Sequence, residues 1–470
     1  MSQAHKLLIN GQLVEGADTL DVINPATGAI FVTVARANAD QADQAVAAAK
    51  AAQPGWAALD LSERASYLNK LADAIDANAD ALTRALVQEQ GKPMAEAGGE
   101  VAFTAIFIRH FAGFNGFDRE IMQDDDALRI EARYTPLGVV AGITPWNFPL
   151  LLGVAKIAPA LVTGNTFVLK PAPTTPVTSL MVGEMAADIL PAGVLNIVTD
   201  ANDLGPALTD HPDVAKVSFT GSTATGKKVM AAAASSLKRI TLELGGNDAA
   251  ILLDDIDVKA AAPKVFGGAF TNAGQVCIAV KRLYVHESQY DAMCEELAKI
   301  ADETVQGDGL EQGTTIGPLQ NAQQFEKAKG FLEAAKRDGT VIAGGDVAED
   351  GGYFIRPTIV KDVPDDSPIV NEEQFAPILP VLKYNDVDDV LARANDTEYG
   401  LGGSVWSSNV DRAIELAEKV DSGTVWVNHH LHFGPHVPFA GAKQSGLGVE
   451  FSEEGLREFM QRRVISVSKA

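Results

Sequence analysis

From Arg133 onward the chain keeps one rhythm that leaves few folds open to it. Short apolar runs rich in β-branched residues, VVAGITP, NTFVLKP, LNIVTD, KVSFTG, ITLELGG and AAILLDD, alternate with helical segments such as LLLGVAKIAPALVTG and TPVTSLMVGEMAADIL. A strand that is apolar along its whole length is buried on both faces, and a helix between successive strands supplies the crossover that parallel pairing needs. The expected fold is α/β, with a doubly wound parallel sheet whose ligands lie beyond the carboxyl ends of its strands.

A second alternating series begins near Asp257, with strand candidates RLYVHE, VIAGG, PTIVKDV, ILPVLKY, GGSVWS and GTVWVNHH. Its helices include QYDAMCEELAKIADETV and VDRAIELAEKV. At 470 residues the chain exceeds what one core usually supports. A second α/β domain is therefore expected, with the boundary near the LELGG turn. Before the sheets, residues 39 to 93 carry apolar side chains at helical spacing; the second helical stretch has Ser62 and Glu63 as start signals and ends at Gly91 and Pro93. Residues 117–136 and the tail from about 455 look like additions to these cores. LRIEARYTP and RVISVSK alternate as half-buried strands do, and they suit pairing with another subunit.

The net charge of −24 and a pI near 4.7 argue against binding nucleic acid or an anionic membrane. No apolar run approaches the ~18 residues of a membrane span, and the N-terminus lacks a signal-peptide core. Two cysteines, Cys277 and Cys294, cannot make a disulfide framework or a four-cysteine zinc site. A reducing, cytoplasmic home is the expectation.

Several residues suit chemistry better than packing. Cys277 in FTNAGQVCIA follows Gly274 and Gln275, which favour neither helix nor strand; it is either a nucleophile served by nearby backbone N–H groups or a small buried side chain. Cys294 sits in an amphipathic helix and reads as core. Glu243 in LELGGN stands between two leucines at a strand end; apolar surroundings would raise its pKa for general-base work, and the alternative is a carboxylate capping a turn. In FTGSTATG a strand ends at Thr220, and Gly221 and Ser222 lead into a helix whose free N–H groups suit a phosphate, although G-x-G-x-x-G is absent. Two prolines in TPWNFP fix the backbone around Asn147, either as an oxyanion donor or as a turn residue. NHHLHFGPH holds four of the eight histidines with no carboxylate or cysteine nearby, which reads as a polar loop, and no metal is expected.

PWNFP, NTFVLKP, FTGSTATG, LELGGN, GQVC, NEEQFAP and PFAGAKQSG occur in the order and spacing of the aldehyde dehydrogenase superfamily, which the chain resembles from about residue 7 to 468. The resemblance implies a dinucleotide-binding domain over 1–116 and 137–246 and a catalytic domain over 247–445. A small β oligomerisation arm over 117–136 and 446–470 would complete a homodimer or homotetramer. It also implies Cys277 as the nucleophile, Asn147 as oxyanion donor and Glu243 as the base for water. Lys170 and Glu373 match ribose contacts, Gly221 and Ser222 the pyrophosphate turn, and Trp146 and Phe375 the nicotinamide end of NAD, with NADP possible. Phe148, Leu152, Ala155, Val276, Ile278 and Phe433 match an apolar substrate tunnel.

Two departures from the family pattern stand out. Lys170-Pro171-Ala172-Pro173 lacks the acid of the KPxE form common among NAD-preferring members, and Ala376 replaces a common glycine. The expected activity is oxidation of a neutral, medium-sized aliphatic or aromatic aldehyde to the acid. The alternatives are a semialdehyde bearing a carboxylate, a CoA-acylating enzyme, which would not need Glu243, and a non-catalytic relative.

Overall fold

The computed structural model describes residues 5–117, 119–348 and 351–469. Residues 1–4, Asp118, 349–350 and Ala470, which fall within the domain and arm ranges expected above, lie outside them. The first sheet has eight strands in the order Gln12–Val14, Leu7–Ile9, Leu195–Ile197, Thr166–Lys170, Val139–Ile143, Val214–Thr220, Arg239–Glu243 and Gly446–Leu447. The five inner strands are parallel, and antiparallel strands close both edges. Val139–Ile143 and Thr166–Lys170 are buried at every residue, which is why they read as unbroken apolar runs.

The helical region 39–93 resolves into Ala39–Ala58, Leu61–Ala77 and Ala79–Gln90. The second stretch is thus two helices, interrupted at Asn78, whose φ of −108° and ψ of 18° leave the helical region. Its N-cap is Asp60 rather than Ser62: the Asp60 N–H donates to Glu63 Oε2 at 3.0 Å, and the Glu63 N–H donates back to the Asp60 carbonyl at 3.1 Å. Gly91 ends it with a left-handed φ of 96°. A further helix, Met94–Ala112, carries no strong one-sided pattern in sequence because Gly98 and Gly99 interrupt it, yet it packs against Leu61–Ala77 and Pro149–Val162.

The second sheet has seven strands, ordered Thr340–Ala343, Thr358–Lys361, Ile378–Tyr384, Val280–His286, Asp248–Leu252, Gly402–Trp406 and Thr424–Val427. All neighbours are parallel except the Thr340–Ala343 edge. AAILLDD therefore belongs to this sheet, as Asp248–Leu252, and the chain changes sheets within the four residues after Glu243. A third sheet joins Glu120–Asp124 and Leu128–Pro136 to the tail strand Met460–Ser468. Its outer strands expose Ile121, Met122, Val464 and Val467.

Candidate active site

In the first sheet, successive strands run outward in opposite directions from the pair Val139–Ile143 and Val214–Thr220. Such a reversal opens a crevice at the carboxyl ends, where loops diverge to opposite faces. TPWNFP leaves one of these strands and the Gly221–Ser222 turn leaves the other. Glu243 pairs with Thr220 at the same sheet edge, and Gly221 N–H donates to the Glu243 carbonyl at 3.0 Å. The candidate nucleotide turn and the candidate base thus share one rim.

Cys277 arrives from the other sheet, just ahead of Val280–His286. The preceding Asn272, Ala273 and Gly274 all hold left-handed φ values of 52°, 55° and 73°. Two of these are non-glycine residues, a conformation that surrounding contacts must impose. Those contacts are present. Asn272 N–H donates to Glu96 Oε2 at 3.0 Å, its Nδ2 donates to the Asn147 carbonyl at 3.0 Å, and Gln275 Nε2 donates back to the Asn272 carbonyl at 2.8 Å. At Gly274 a Cβ would come 2.4 Å from the Ala376 carbonyl oxygen, so only glycine fits. Asn147 is buried, and its Nδ2 donates to the Gln275 carbonyl at 3.0 Å, two residues before the thiol. Gly246 brings the second sheet close: a Cβ there would lie 2.4 Å from the Cys277 carbonyl.

The half-buried Cys277 thiol is pushed up to about 12, first by desolvation; Lys281 pulls it back, while Glu373, Asp248 and Glu243 add to the rise. Lys281 is itself buried, donates to the Val276 carbonyl at 2.6 Å, and is lowered by desolvation. Glu243 is buried, and neither carboxylate oxygen has a hydrogen-bond partner among the described residues. Desolvation raises its pKa well above the ordinary carboxylate value, Glu450 raises it further, and Lys156 opposes both. Lys156 and Glu450 form a buried ion pair with each other.

On the nucleotide side, Ser222 caps the helix Thr223–Ala233, its Oγ accepting from Thr225 N–H at 3.3 Å. The buried hydroxyls of Thr144 and Thr220, at the ends of the two crevice strands, have no partner among the described residues. A polar group is left to be satisfied there, which fits a dinucleotide entering the crevice. Lys170 stands at the end of its strand beside Asp200, with Nζ 2.7 Å from Oδ1. Trp146 and Phe375 meet edge to face with centroids 5.4 Å apart, and Phe375 holds a strained φ of 51°. Glu373 accepts the Gly246 N–H at 3.0 Å; desolvation raises its pKa and Lys281 lowers it.

Val276, Ile278, Phe148 and Phe433 gather around Cys277 in one apolar cluster. Ala155 is buried in the neighbouring core, and the half-buried Leu152 joins neither cluster. Phe103 stacks edge-on against Phe433 at 5.4 Å and extends the aromatic wall. In the histidine loop, His430 is a brace: Nε2 lies 2.8 Å from the Ile278 carbonyl and Nδ1 lies 2.9 Å from Ser404 Oγ. No cluster of three or more potential metal ligands occurs among the described residues.

A family model described as the aldehyde dehydrogenase family matches residues 13–465. The chain belongs to that family. It is similar to the NADP+-linked succinate-semialdehyde dehydrogenase GabD of Escherichia coli (strain K12), at 38% identity over 98% of this chain and 97% of the relative. It is also similar to a phenylacetaldehyde dehydrogenase of Pseudomonas fluorescens, at 39% identity over 99% of this chain and 96% of the relative. Among solved structures, the NAD+ complex of a Bacillus cereus aldehyde dehydrogenase superposes with a TM-score of 0.97 at 36% identity, covering 99% of this chain and 97% of that one. The α/β fold expected from sequence is that of these relatives, and the protein is an NAD(P)-dependent aldehyde dehydrogenase.

Around the aldehyde dehydrogenase site the structure adds residues that sequence reasoning missed. Lys156 carried a signal: it is the one charge in the apolar helix run LLLGVAKIAPALV. Lys92 and Glu100 pair in full burial behind Asn147; Lys92 Nζ donates to the Asn147 carbonyl at 3.0 Å and lies 3.7 Å from the Phe148 ring centre. Ser445, in the PFAGAKQSG motif, donates through Oγ to the Gly245 carbonyl at 2.7 Å, and its own carbonyl accepts from Leu244 N–H. Nothing local in the sequence announces Glu450, whose partner Lys156 lies 294 residues away, and the Lys92–Glu100 pair, only eight residues apart, went unread as well.

Proposed function

We propose that this aldehyde dehydrogenase oxidises a neutral, medium-sized aldehyde through a covalent Cys277 intermediate. The Cys277 thiolate bonds through Sγ to the carbonyl carbon, and its negative charge passes to the oxygen, between the Cys277 N–H and the second N–H of the Asn147 amide. Lys170, Glu373, the Gly221–Ser222 turn and the Trp146–Phe375 pair would hold the dinucleotide, and its nicotinamide would supply the hydride acceptor. Loss of hydride leaves a thioester on Cys277. Glu243 takes a proton from water, hydroxide adds to the thioester carbon, and the C–S bond breaks to release the acid and the thiolate. The proton on Glu243 then faces the Lys156–Glu450 pair. What carries this reading is the Glu243 carboxylate: a buried base with both oxygens unpartnered, close enough to Cys277 to affect its thiol.

The substrate reading rests on the aromatic and aliphatic wall of Phe148, Phe433, Phe103, Val276 and Ile278. Lys92, the cation nearest Phe148, is already matched by Glu100, and an apolar wall disfavours a charged substrate tail. The relatives do not separate the choices, since the semialdehyde and phenylacetaldehyde enzymes stand at 38% and 39% identity. The edges of the third sheet, with Val464 and Ile121 exposed, suit pairing with a second copy of the chain as dimer or tetramer. Intact-mass analysis after mixing with benzaldehyde and NAD tests the mechanism. An acyl mass on Cys277 is expected, and turnover by Cys277→Ala at the parent rate would refute it.

A further inference from the structure

The run Lys170-Pro171-Ala172-Pro173 provides no acid at the ribose end, because the Pro173 side chain cannot accept from a hydroxyl donor there. The structure brings a negative charge from the adjacent strand instead. Thr166–Lys170 and Leu195–Ile197 pair in parallel, with Leu169 opposite Ile197, so Lys170 and the segment ending in Asp200 leave the sheet side by side. Asp200 Oδ1 accepts from Lys170 Nζ at 2.7 Å, and Oδ2 accepts from Leu204 N–H at 2.9 Å. The Asp200 side chain is 0% exposed and that of Lys170 is 6% exposed, so solvent screens the pair little. The same loop repeats the arrangement at Arg36, whose guanidinium lies 2.8 Å from Asp203.

We propose that Asp200 is a specificity-determining residue, which biases the enzyme toward NAD by neutralising Lys170. In doubly wound sheets an acid near the ribose favours a 2′-hydroxyl, and a free cation there accommodates a 2′-phosphate. Lys170 can still donate to ribose oxygens while Asp200 holds it, but the pair carries no net charge. A 2′-phosphate would bring its own charge of about −2 into a site whose cation is already spent. Asp200 is sealed from solvent with both oxygens occupied, so it acts through Lys170 rather than by touching the nucleotide. The proposal rests on the reading of Lys170 as a ribose contact.

The test is equilibrium binding of NADH and NADPH in the absence of aldehyde, followed by energy transfer from protein tryptophan to the reduced nicotinamide. Asp200→Asn keeps the acceptor for Leu204 N–H and removes the charge; Asp200→Ser serves if that variant fails to fold. The ratio Kd(NADPH)/Kd(NADH) should fall at least tenfold, mainly through tighter NADPH binding, and Lys170→Met added to the same variant should cancel the gain. A smaller fall, or a gain that survives Lys170→Met, overturns the role of Asp200. Lys170→Met alone should weaken both nucleotides. If it weakens neither, the reading of Lys170 fails instead, and the two failures are distinct.

Discussion

Glu243→Gln should make the enzyme slower and more stable at once, and the second effect has a pH signature. The parent buries a carboxylate whose two oxygens meet no donor, and desolvation leads the causes that raise its pKa. Near pH 4 the group is protonated in folded and unfolded chains alike, so its charge costs nothing. Above the unfolded value of about 4.5 the unfolded chain releases the proton while the folded one retains it. Stability contributed by the raised pKa is therefore lost as pH rises, at about 1.4 kcal/mol per unit, until the folded group ionises too. Glutamine does not titrate, so the variant escapes this loss. For a body of 150–250 residues that slope corresponds to roughly 3–5 °C of melting temperature per pH unit. Melting curves of parent and variant, paired at each pH from 5 to 8.5, should diverge and then run parallel, with the variant higher. Rapid mixing with aldehyde and NAD should give a burst of NADH followed by turnover reduced by about 10² to 10⁴. A constant melting difference across pH, or a less stable variant, would refute the burial argument. Loss of the burst with the turnover would mean that Glu243 activates the thiol instead.

Other outcomes follow from the same geometry. With the Cys277 thiol at about 12, alkylation by iodoacetamide in the absence of nucleotide should rise about tenfold per unit from pH 7 to 9. Lys281→Met, which removes the cation that lowers this thiol, should slow it further at every pH, with Cys277→Ala as the blank. Asn147→Ala should reduce kcat by about 10² to 10³ while the nucleotide Kd stays put; an equal loss in both would mark Asn147 as structural. Hexanal or benzaldehyde should exceed succinic semialdehyde in kcat/KM, and a tenfold advantage for the semialdehyde would require a tunnel cation that Lys92 does not supply. Glu450→Gln should leave Lys156 buried without its partner, costing about 3–5 kcal/mol of stability in a denaturant titration.

The sheets were legible because parallel strands advertise burial on both faces. VVAGI, TFVLK and AAILL need no context to be read, and their intervening helices dictate the crossover. Amino-terminal strands were not legible. Leu7–Ile9 is three residues long, and its place between the edge strand Gln12–Val14 and Leu195–Ile197 depends on Leu8 meeting Ile197, far away in the chain. The helical region misled in detail for a related reason: Asn78 breaks a continuous apolar pattern through backbone angles, while the side-chain periodicity carries on past it.

At the site, legibility divides by how each residue reaches its place. Cys277, Glu243 and Asn147 stand on turns whose glycines and prolines are odd choices for packing, so the local sequence marks them. Of the charges that tune them, Lys156 stands out locally as the one charge in an apolar helix, but nothing local says what it pairs with. Lys156 and Glu450 are 294 residues apart, and each would be an unfavourable buried ion without the other. Lys281 is the first of two adjacent cations in the strand Val280–His286, and its Nζ satisfies the Val276 carbonyl next to Cys277. A buried charge therefore has meaning only as half of a tertiary contact, which no single stretch of sequence contains. Asp200 is the sharpest instance. Read along the chain, KPAP has lost an acid; read across the sheet, the neighbouring strand has put a carboxylate on the same lysine. The expectation of NAD with NADP possible is left open by the first reading, and the proposed bias toward NAD comes from the second. The charge at Lys170 is thus a property of two adjacent strands, and it changes if either one does.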